Sequence, residues 1–467
     1  MCAAFYWNIQ TACDNKVFPD FTRFPHGGKA HGDEQMRDTV ILGAGLAGLS
    51  TAYHLKSDWE IFEKNNYPGG LAVTHHKNGY SFDLTGHWLH LRDPKVMRMV
   101  ERLMPDGFLS VVRQSEIFSH GVYTPYPFQT NTYGLPVKVV SEIIQSYVSD
   151  VLLNPPAKEP RTFEEWVIKY MGRSIAERFM IPYNEKLWRT HPRDMTPLWC
   201  QIYVPKPTLQ QIIDGALAPP ADTIGYNASF IYPKAGGIGA LPQAMAAALK
   251  QDRIHYECTP TRIDAGKKCI EFSNGESIGY RNLVSSLPLP ELIKLVSDAP
   301  AAVRRAASKL LHNQVLYFNI ALNKPALRPS HWVYLPEAQI GFYRAGSFSN
   351  AAPYMAPEGC GNLYVEYSHR NDIDTRGLFD RTLRDLLASG MLESKKDVEF
   401  YEQRNIEYAY VVFDANYRRS TGLIHAWLAE NGIRSIGRYG RWTYNSMETA
   451  IIDGYRAADE IRASRRS

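Results

Sequence analysis

The chain has 467 residues, 45% apolar and 21% charged, with a formal net charge of +4 at neutral pH. This is a soluble globular composition, long enough for two or three domains around well-filled cores. So small a net charge argues against a nucleic-acid partner and leaves room for a locally basic cleft. No apolar run approaches the ~18 residues of a membrane span, so no membrane partner is expected.

Met1–Asp38 mixes aromatic, polar and charged residues without the basic start and apolar centre of a signal peptide, and reads as an extension (1–38). The six cysteines, Cys2, Cys13, Cys200, Cys258, Cys269 and Cys360, form no CxxC pair and no metal-ligand spacing. Free thiols, no metal and a cytoplasmic location follow as expectations. Thr39–Leu42 predicts a short buried parallel strand, Gly43-Ala-Gly-Leu-Ala-Gly48 comes next, and Leu49–Leu55 carries a helical pattern. Trp59–Glu63 predicts a second strand that ends in an acid, completing a βαβ unit. From Asp93 to about Asp150 the periodicity is helical, interrupted by the aromatic stretch Val122–Phe128. Pro155, Pro156 and Pro160 form a stiff connector, and Thr162–Trp188 predicts a compact helical insertion with Thr162 and Glu165 in capping-box spacing. Strand patterns return at Ile254–Ile263 and Cys269–Phe272, and the turn Ser273-Asn-Gly275 predicts a hairpin onto Ser277–Tyr280. Asn282–Leu287 reads as a further parallel strand and Val315–Tyr367 as a second sheet. Ser435–Arg441 reads as a strand, followed by an amphipathic helix over Met447–Ile461.

The glycine loop carries the first chemical signal. Gly43 permits a tight turn, Gly45 lets the backbone approach a pyrophosphate, and Gly48 lets the helix pack close to the strand. The helix start then faces the phosphates with unpaired N–H groups and partial positive charge. Glu63 is placed to accept hydrogen bonds from ribose hydroxyls. NAD could use the same loop, but Tyr67-Pro-Gly-Gly-Leu-Ala72 sets Gly69, Gly70 and Leu71 beside the pyrophosphate and favours FAD. The expected fold is therefore α/β: a two-dinucleotide Rossmann domain for FAD with a helical insertion and a second mixed β-sheet substrate domain. Its segments interleave, with 39–92, 226–300 and 426–467 in the FAD-binding domain. Residues 93–225 form a mostly helical substrate-covering insertion, and 301–425 the mixed-sheet domain.

Gly43–Gly48, Glu63 and Pro68–Ala72 resemble the flavin signature of the amine-oxidase and protoporphyrinogen-oxidase class. Asp83-Leu-Thr-Gly-His87, Tyr126-Pro-Phe-Gln129, Thr162-Phe-Glu-Glu-Trp166 and Pro182-Tyr-Asn-Glu-Lys-Leu-Trp188 resemble the eukaryotic form of the UDP-galactopyranose mutase family. So do Tyr226–Gly237, Gly341-Phe-Tyr-Arg344 and Gly437-Arg-Tyr-Gly-Arg-Trp-Thr-Tyr444. The resemblance implies an isomerase that interconverts six- and five-membered ring forms of a nucleotide sugar, with reduced flavin N5 as nucleophile on the anomeric carbon. It implies FAD that is active when reduced, with NAD(P)H or a reductase as reductant.

Residue by residue, the resemblance places His87 beside the flavin ring and Arg344 on the diphosphate, where a guanidinium fork suits phosphate oxygens. It places Tyr334, Tyr410 and Tyr444 around diphosphate and sugar, Tyr444 also against the cofactor, and Arg438 in a flavin-contact segment. Arg113 lies close to the active site, and Asn184, Trp188 and Asn227 line the pocket. The family's second diphosphate arginine falls at Tyr203, with Lys206 and Arg189 as candidates to compensate. At Asn445-Ser-Met-Glu448 the family's Asn- and Gln-containing stretch is not reproduced. These departures leave open a different nucleotide sugar, or a sugar metabolite without a nucleotide. The alternatives in function are an FAD-dependent oxidase or dehydrogenase taking hydride from a sugar, alcohol or amine, and an inactive flavin-bound homologue.

Overall fold

The computed structural model describes residues 36–56, 58–200, 204–219 and 228–465. Its first sheet is built on Met36–Leu42, which pairs in parallel with Glu60–Phe62 on one side and Ser277–Ser285 on the other. The strand starts three residues before the expected Thr39, because Met36 and Arg37 already find partners in Gly279 and Tyr280. Beyond Glu60–Phe62 lies Ile254–His255, and beyond Ser277–Ser285 lie Cys269–Phe272 and Pro260–Asp264. The hairpin through Ser273–Gly275 forms as expected, with Gly275 at φ +84°. The separate strand expected at Asn282–Leu287 is instead the second half of Ser277–Ser285. The first half pairs antiparallel with Cys269–Phe272, and the second half parallel with Ile433–Ser435.

Helix Leu46–Leu55 lies against the C-terminal helix Met447–Ser464. Small residues let them touch: a Cβ at Gly454 would stand 2.4 Å from the Ala47 carbonyl oxygen and 2.6 Å from Ser50 Cβ. The Ser50 hydroxyl donates to the Ile451 carbonyl at 2.7 Å across the same contact. The strand expected over Ser435–Arg441 stops at Ser435. Gly437, at φ +74°, turns the chain into a short helical segment, Gly437–Gly440.

The second sheet runs in the order Val398–Val411, His312–Leu322, Gly361–His369, Arg344–Gly346, Trp332–Tyr334, Ser115–Ser119, Val122–Pro125. Ser115–Ser119 corrects the helical reading of that stretch, as does Phe108–Val112, which pairs with Ser229–Pro233, while Val122–Pro125 falls within the aromatic interruption. Ser115–Ser119 is buried along nearly its whole length, and His120 and Gly121 both take positive φ (53° and 77°) in a tight hairpin turn. The strand then pairs with Trp332–Tyr334, more than two hundred residues away. A local periodicity has no access to such a partner.

The helical insertion follows. Phe163–Met171 starts at the expected capping box: the Thr162 hydroxyl accepts from the Glu165 N–H, and Glu165 reaches back to the Thr162 N–H. Phe163, Trp166, Val167, Met171 and Trp188 are buried in one cluster with Tyr183 and Tyr343, so the insertion packs directly on the second sheet. Among the described residues the cysteines Cys200, Cys258, Cys269 and Cys360 form no disulfide, and no helix is long and apolar enough to cross a membrane.

Candidate functional site

The glycine loop has the geometry that its sequence implies. Gly43 sits at φ +98°, and a Cβ there would meet Ser286 Oγ at 2.4 Å; a Cβ at Gly48 would meet the Gly43 carbonyl oxygen at 2.0 Å. Gly45 bridges to Gly69, whose N–H donates to the Ala44 carbonyl at 2.9 Å. Gly69 and Gly70 both have positive φ, and a Cβ on Gly70 would rest at ordinary contact distance, 3.5 Å, from Gly45 Cα. The result is a cradle walled by backbone. Helix Leu46–Leu55 opens on it with no side-chain cap, so its first N–H groups are available to an anion. Leu71 is half-buried against the aromatic cluster of the insertion.

Glu63 is buried beside this cradle. One carboxylate oxygen accepts from the Ala44 N–H at 2.8 Å and the other from the Asn65 N–H at 2.9 Å. Each oxygen keeps a second acceptor position, which is the chemistry that ribose hydroxyls require. These donors and acceptors fit an adenine dinucleotide cofactor.

His87 stands further along, after strand Tyr80–Asp83. Its loop is pressed inward: a Cβ at Gly86 would lie 2.8 Å from the Tyr364 hydroxyl. The His87 Nδ1 is 3.1 Å from the Thr85 carbonyl oxygen, which can only accept, so this nitrogen carries the proton and Nε2 presents a lone pair. Burial pushes the imidazole down to about 4, with Arg438 and Arg344 adding to the shift against the opposing carbonyl bond. The ring is neutral at physiological pH. Just before it, the buried Asp83 accepts from Thr74 and Tyr232 hydroxyls, both at 2.6 Å, yet desolvation raises it to about 7.

Arg344 departs from the expected free fork. In register with Glu366 across two strands, it donates from Nε at 3.1 Å and from Nη2 at 2.7 Å to that fully buried carboxylate. Nη2 also reaches the Tyr410 hydroxyl at 3.2 Å, and the Tyr343 hydroxyl donates to Glu366 as well. Tyr334 lies opposite Arg344 in the sheet, its ring 5.1 Å from Tyr126 and 5.2 Å from Tyr183. Burial raises the Tyr334 hydroxyl well above its usual range. Tyr410 and Tyr444 stack at 6.2 Å, and Trp188 meets both edge-on at 5.5 and 6.2 Å. Arg438 lies over the Tyr444 ring at 4.8 Å and donates to the Asn445 and Ala409 carbonyls. Arg113 lies over Tyr126 at 5.1 Å. The structure thus brings Arg344, Tyr334, Tyr410, Tyr444, Trp188, Arg438 and Arg113 into one aromatic and cationic neighbourhood.

Several expectations change. Asn184 donates to the Met180 carbonyl at 2.8 Å and accepts from Trp188 Nε1 at 3.0 Å, so it props Trp188. Tyr203 and Asn227 lie outside the described residues. Both candidates to compensate for Tyr203 already have contacts of their own. Arg189 is paired with Asp372 at 2.5 Å, and Lys206 sits 3.4 Å above the Tyr170 ring. Glu448, in the departing segment, accepts from the backbone N–H groups of Arg92 and Asp93, tying the C-terminal helix to the chain just beyond His87. Sequence reasoning missed Glu366. Its one signal was a lone acid inside the buried run Leu363–Tyr367, with its partner twenty-two residues upstream.

Comparison with known proteins places the fold. A crystal structure of reduced UDP-galactopyranose mutase is similar with a TM-score of 0.88 and 27% identity, covering 92% of this chain and 95% of that one. A protoporphyrinogen oxidase-like protein from Exiguobacterium sp. is similar at 0.69 and 14% over 92% and 99%, and a putrescine oxidase at 0.63 and 16% over the same shares. Both show the fold alone. Among curated proteins, coproporphyrinogen III oxidase of Staphylococcus aureus is 32% identical over 130 residues, 26% of each chain. A 1-hydroxycarotenoid 3,4-desaturase of Flavobacterium sp. is 36% identical over 74 residues, 15% of each. The chain therefore matches about a quarter or less of the length of these curated relatives. Residues 46–462 match the family model described as flavin containing amine oxidoreductase. The chain belongs to that family of FAD-dependent enzymes, and its cradle and Glu63 are the parts that fit the cofactor.

Proposed function

We propose that this enzyme interconverts the pyranose and furanose rings of a sugar-bearing substrate, nucleotide-linked as in UDP-galactopyranose mutase. The observation that carries this reading is the likeness to that mutase over nearly the whole chain, which exceeds the likeness to the two solved oxidase structures in both TM-score and identity. Bound FAD, once reduced by a nicotinamide donor or a reductase, supplies a nucleophilic nitrogen for the anomeric carbon. The chain's own groups do the rest. Arg344 and the Tyr410 hydroxyl hold phosphate oxygen at one end of the pocket. The rings of Tyr334, Tyr126, Tyr183 and Trp188 exclude water around the sugar. His87 is neutral, and its Nε2 accepts a hydrogen bond at the flavin side of the pocket.

The test compares oxidised and pre-reduced enzyme under anaerobic conditions with candidate nucleotide sugars, following product ring size and flavin absorbance together. Ring interconversion over many turnovers by the reduced form alone is expected. Bleaching of oxidised flavin by substrate, with one oxidised product per flavin reduced, would overturn the proposal in favour of an oxidase or dehydrogenase.

A further inference from the structure

We propose that Glu366 is a positioning residue: it turns Arg344 from a two-nitrogen clamp into a one-nitrogen contact and sets how tightly the site holds an anion. The inference rests on the reading that an anionic group binds at Arg344.

Glu366 sits in Gly361–His369, flanked by the buried side chains Leu363, Tyr364, Val365 and Tyr367. Nothing in that strand needs a charge, and a buried ion pair is no more stabilising than well-packed apolar residues of similar volume. Its contacts indicate a different role. The carboxylate takes Nε and Nη2 of Arg344 together, which fixes both the plane and the rotation of the guanidinium. Nη2 gives its remaining N–H to Tyr410. Nη1 has no partner among the described residues and is the nitrogen left to meet a ligand. The Tyr343 hydroxyl holds the carboxylate from the side, so the acid is itself oriented.

Two consequences follow from this arrangement. A phosphate oxygen bound to Nη1 lies roughly 6–7 Å from the Glu366 carboxylate, close enough for repulsion to offset part of the attraction to Arg344. The site therefore holds an anion more weakly than a free arginine would, while fixing its place more sharply. For a reaction in which a diphosphate leaves and returns in each cycle, weak but well-aimed retention favours turnover.

Glu366→Gln keeps the shape and an acceptor but removes the charge. The flavin-loaded protein is titrated at fixed ionic strength with uridine diphosphate, inorganic pyrophosphate and inorganic phosphate, reading the flavin absorbance change. Flavin content and thermal midpoint are measured in parallel. Binding about tenfold tighter than in the unsubstituted enzyme is expected for the diphosphates, with kcat lower by a similar factor. A residue with only a structural role would loosen binding and lower the midpoint instead. Glu366→Asp serves if the glutamine variant does not fold. It retains the charge but draws the carboxylate back by roughly 1.5 Å, frees one guanidinium nitrogen, and is expected to bind pyrophosphate about threefold tighter. Unchanged or weaker anion binding in a folded, flavin-loaded variant overturns the inference, as does the absence of anion binding in every form. Pyrophosphate binding with the expected gain, but no preference for the nucleotide, would count against the nucleotide-linked substrate alone.

Discussion

The crossing of Leu46–Leu55 and Met447–Ser464 decides where the phosphate loop lies, and Gly454 is its closest point. In Gly454→Ala the new Cβ would stand 2.4 Å from the Ala47 carbonyl oxygen and 2.6 Å from Ser50 Cβ. Both atoms belong to helix segments with no flexible end to swing away. The helices must separate by roughly 1 Å to restore an ordinary contact, and such overpacking costs about 1–3 kcal/mol. Alanine is also a better helix former than glycine by about 0.8–1 kcal/mol, so the net loss is smaller than the clash alone. Gly422, inside helix Tyr417–Glu430, isolates that second effect because nothing lies within 4 Å of its Cβ. Urea unfolding of both variants should leave Gly454→Ala about 1–3 kcal/mol less stable than Gly422→Ala. Ala47 stands two residues after Gly45, so the displaced helix should also retain less FAD after dialysis, read from visible absorbance. Equal stability and equal flavin content in the two variants would refute the argument that this contact sets the position of the loop.

Three further outcomes are expected. Glu63→Ala removes the acceptor of the Ala44 and Asn65 N–H groups as well as the ribose acceptor, and should lower FAD occupancy in purified protein; unchanged occupancy counts against the assignment. Arg344→Ala strands the buried Glu366 charge and should cost about 3–5 kcal/mol in denaturant unfolding, much of it recovered in Arg344→Ala/Glu366→Gln. No recovery in the double variant would show that the pair is not the source of the loss. Asp83 has a folded-state value of about 7, above its usual 3.8, so the folded protein holds this proton more tightly than the unfolded chain. Its contribution is full below pH 4 and is lost as pH rises towards 7. The stability of Asp83→Asn relative to the unsubstituted protein should therefore climb between pH 4 and 7 and then level off. A pH-independent difference would refute the assignment.

What the sequence determined by itself was local. The tight turns at Gly43 and Gly275, the capping box at Thr162 and Glu165, and the acid at Glu63 each depend on the conformational freedom or reach of residues close together in the chain. These features were legible, and with them the FAD-binding half of the fold. Strand partners were not, because they lie far away in sequence. Ser115–Ser119 is a strand because Trp332–Tyr334 pairs with it, and Ser277–Ser285 continues past its hairpin because the distant strands Met36–Leu42 and Ile433–Ser435 pair with its second half. The same distance separated the residue types of the site from their duties. Arginine at 344 suggested a phosphate fork and arginine at 189 a substitute for Tyr203. Their actual bonds depended on Glu366 and Asp372, carboxylates brought alongside by folding. A charged side chain takes the partner that burial puts within hydrogen-bond reach, and only the tertiary structure sets that distance.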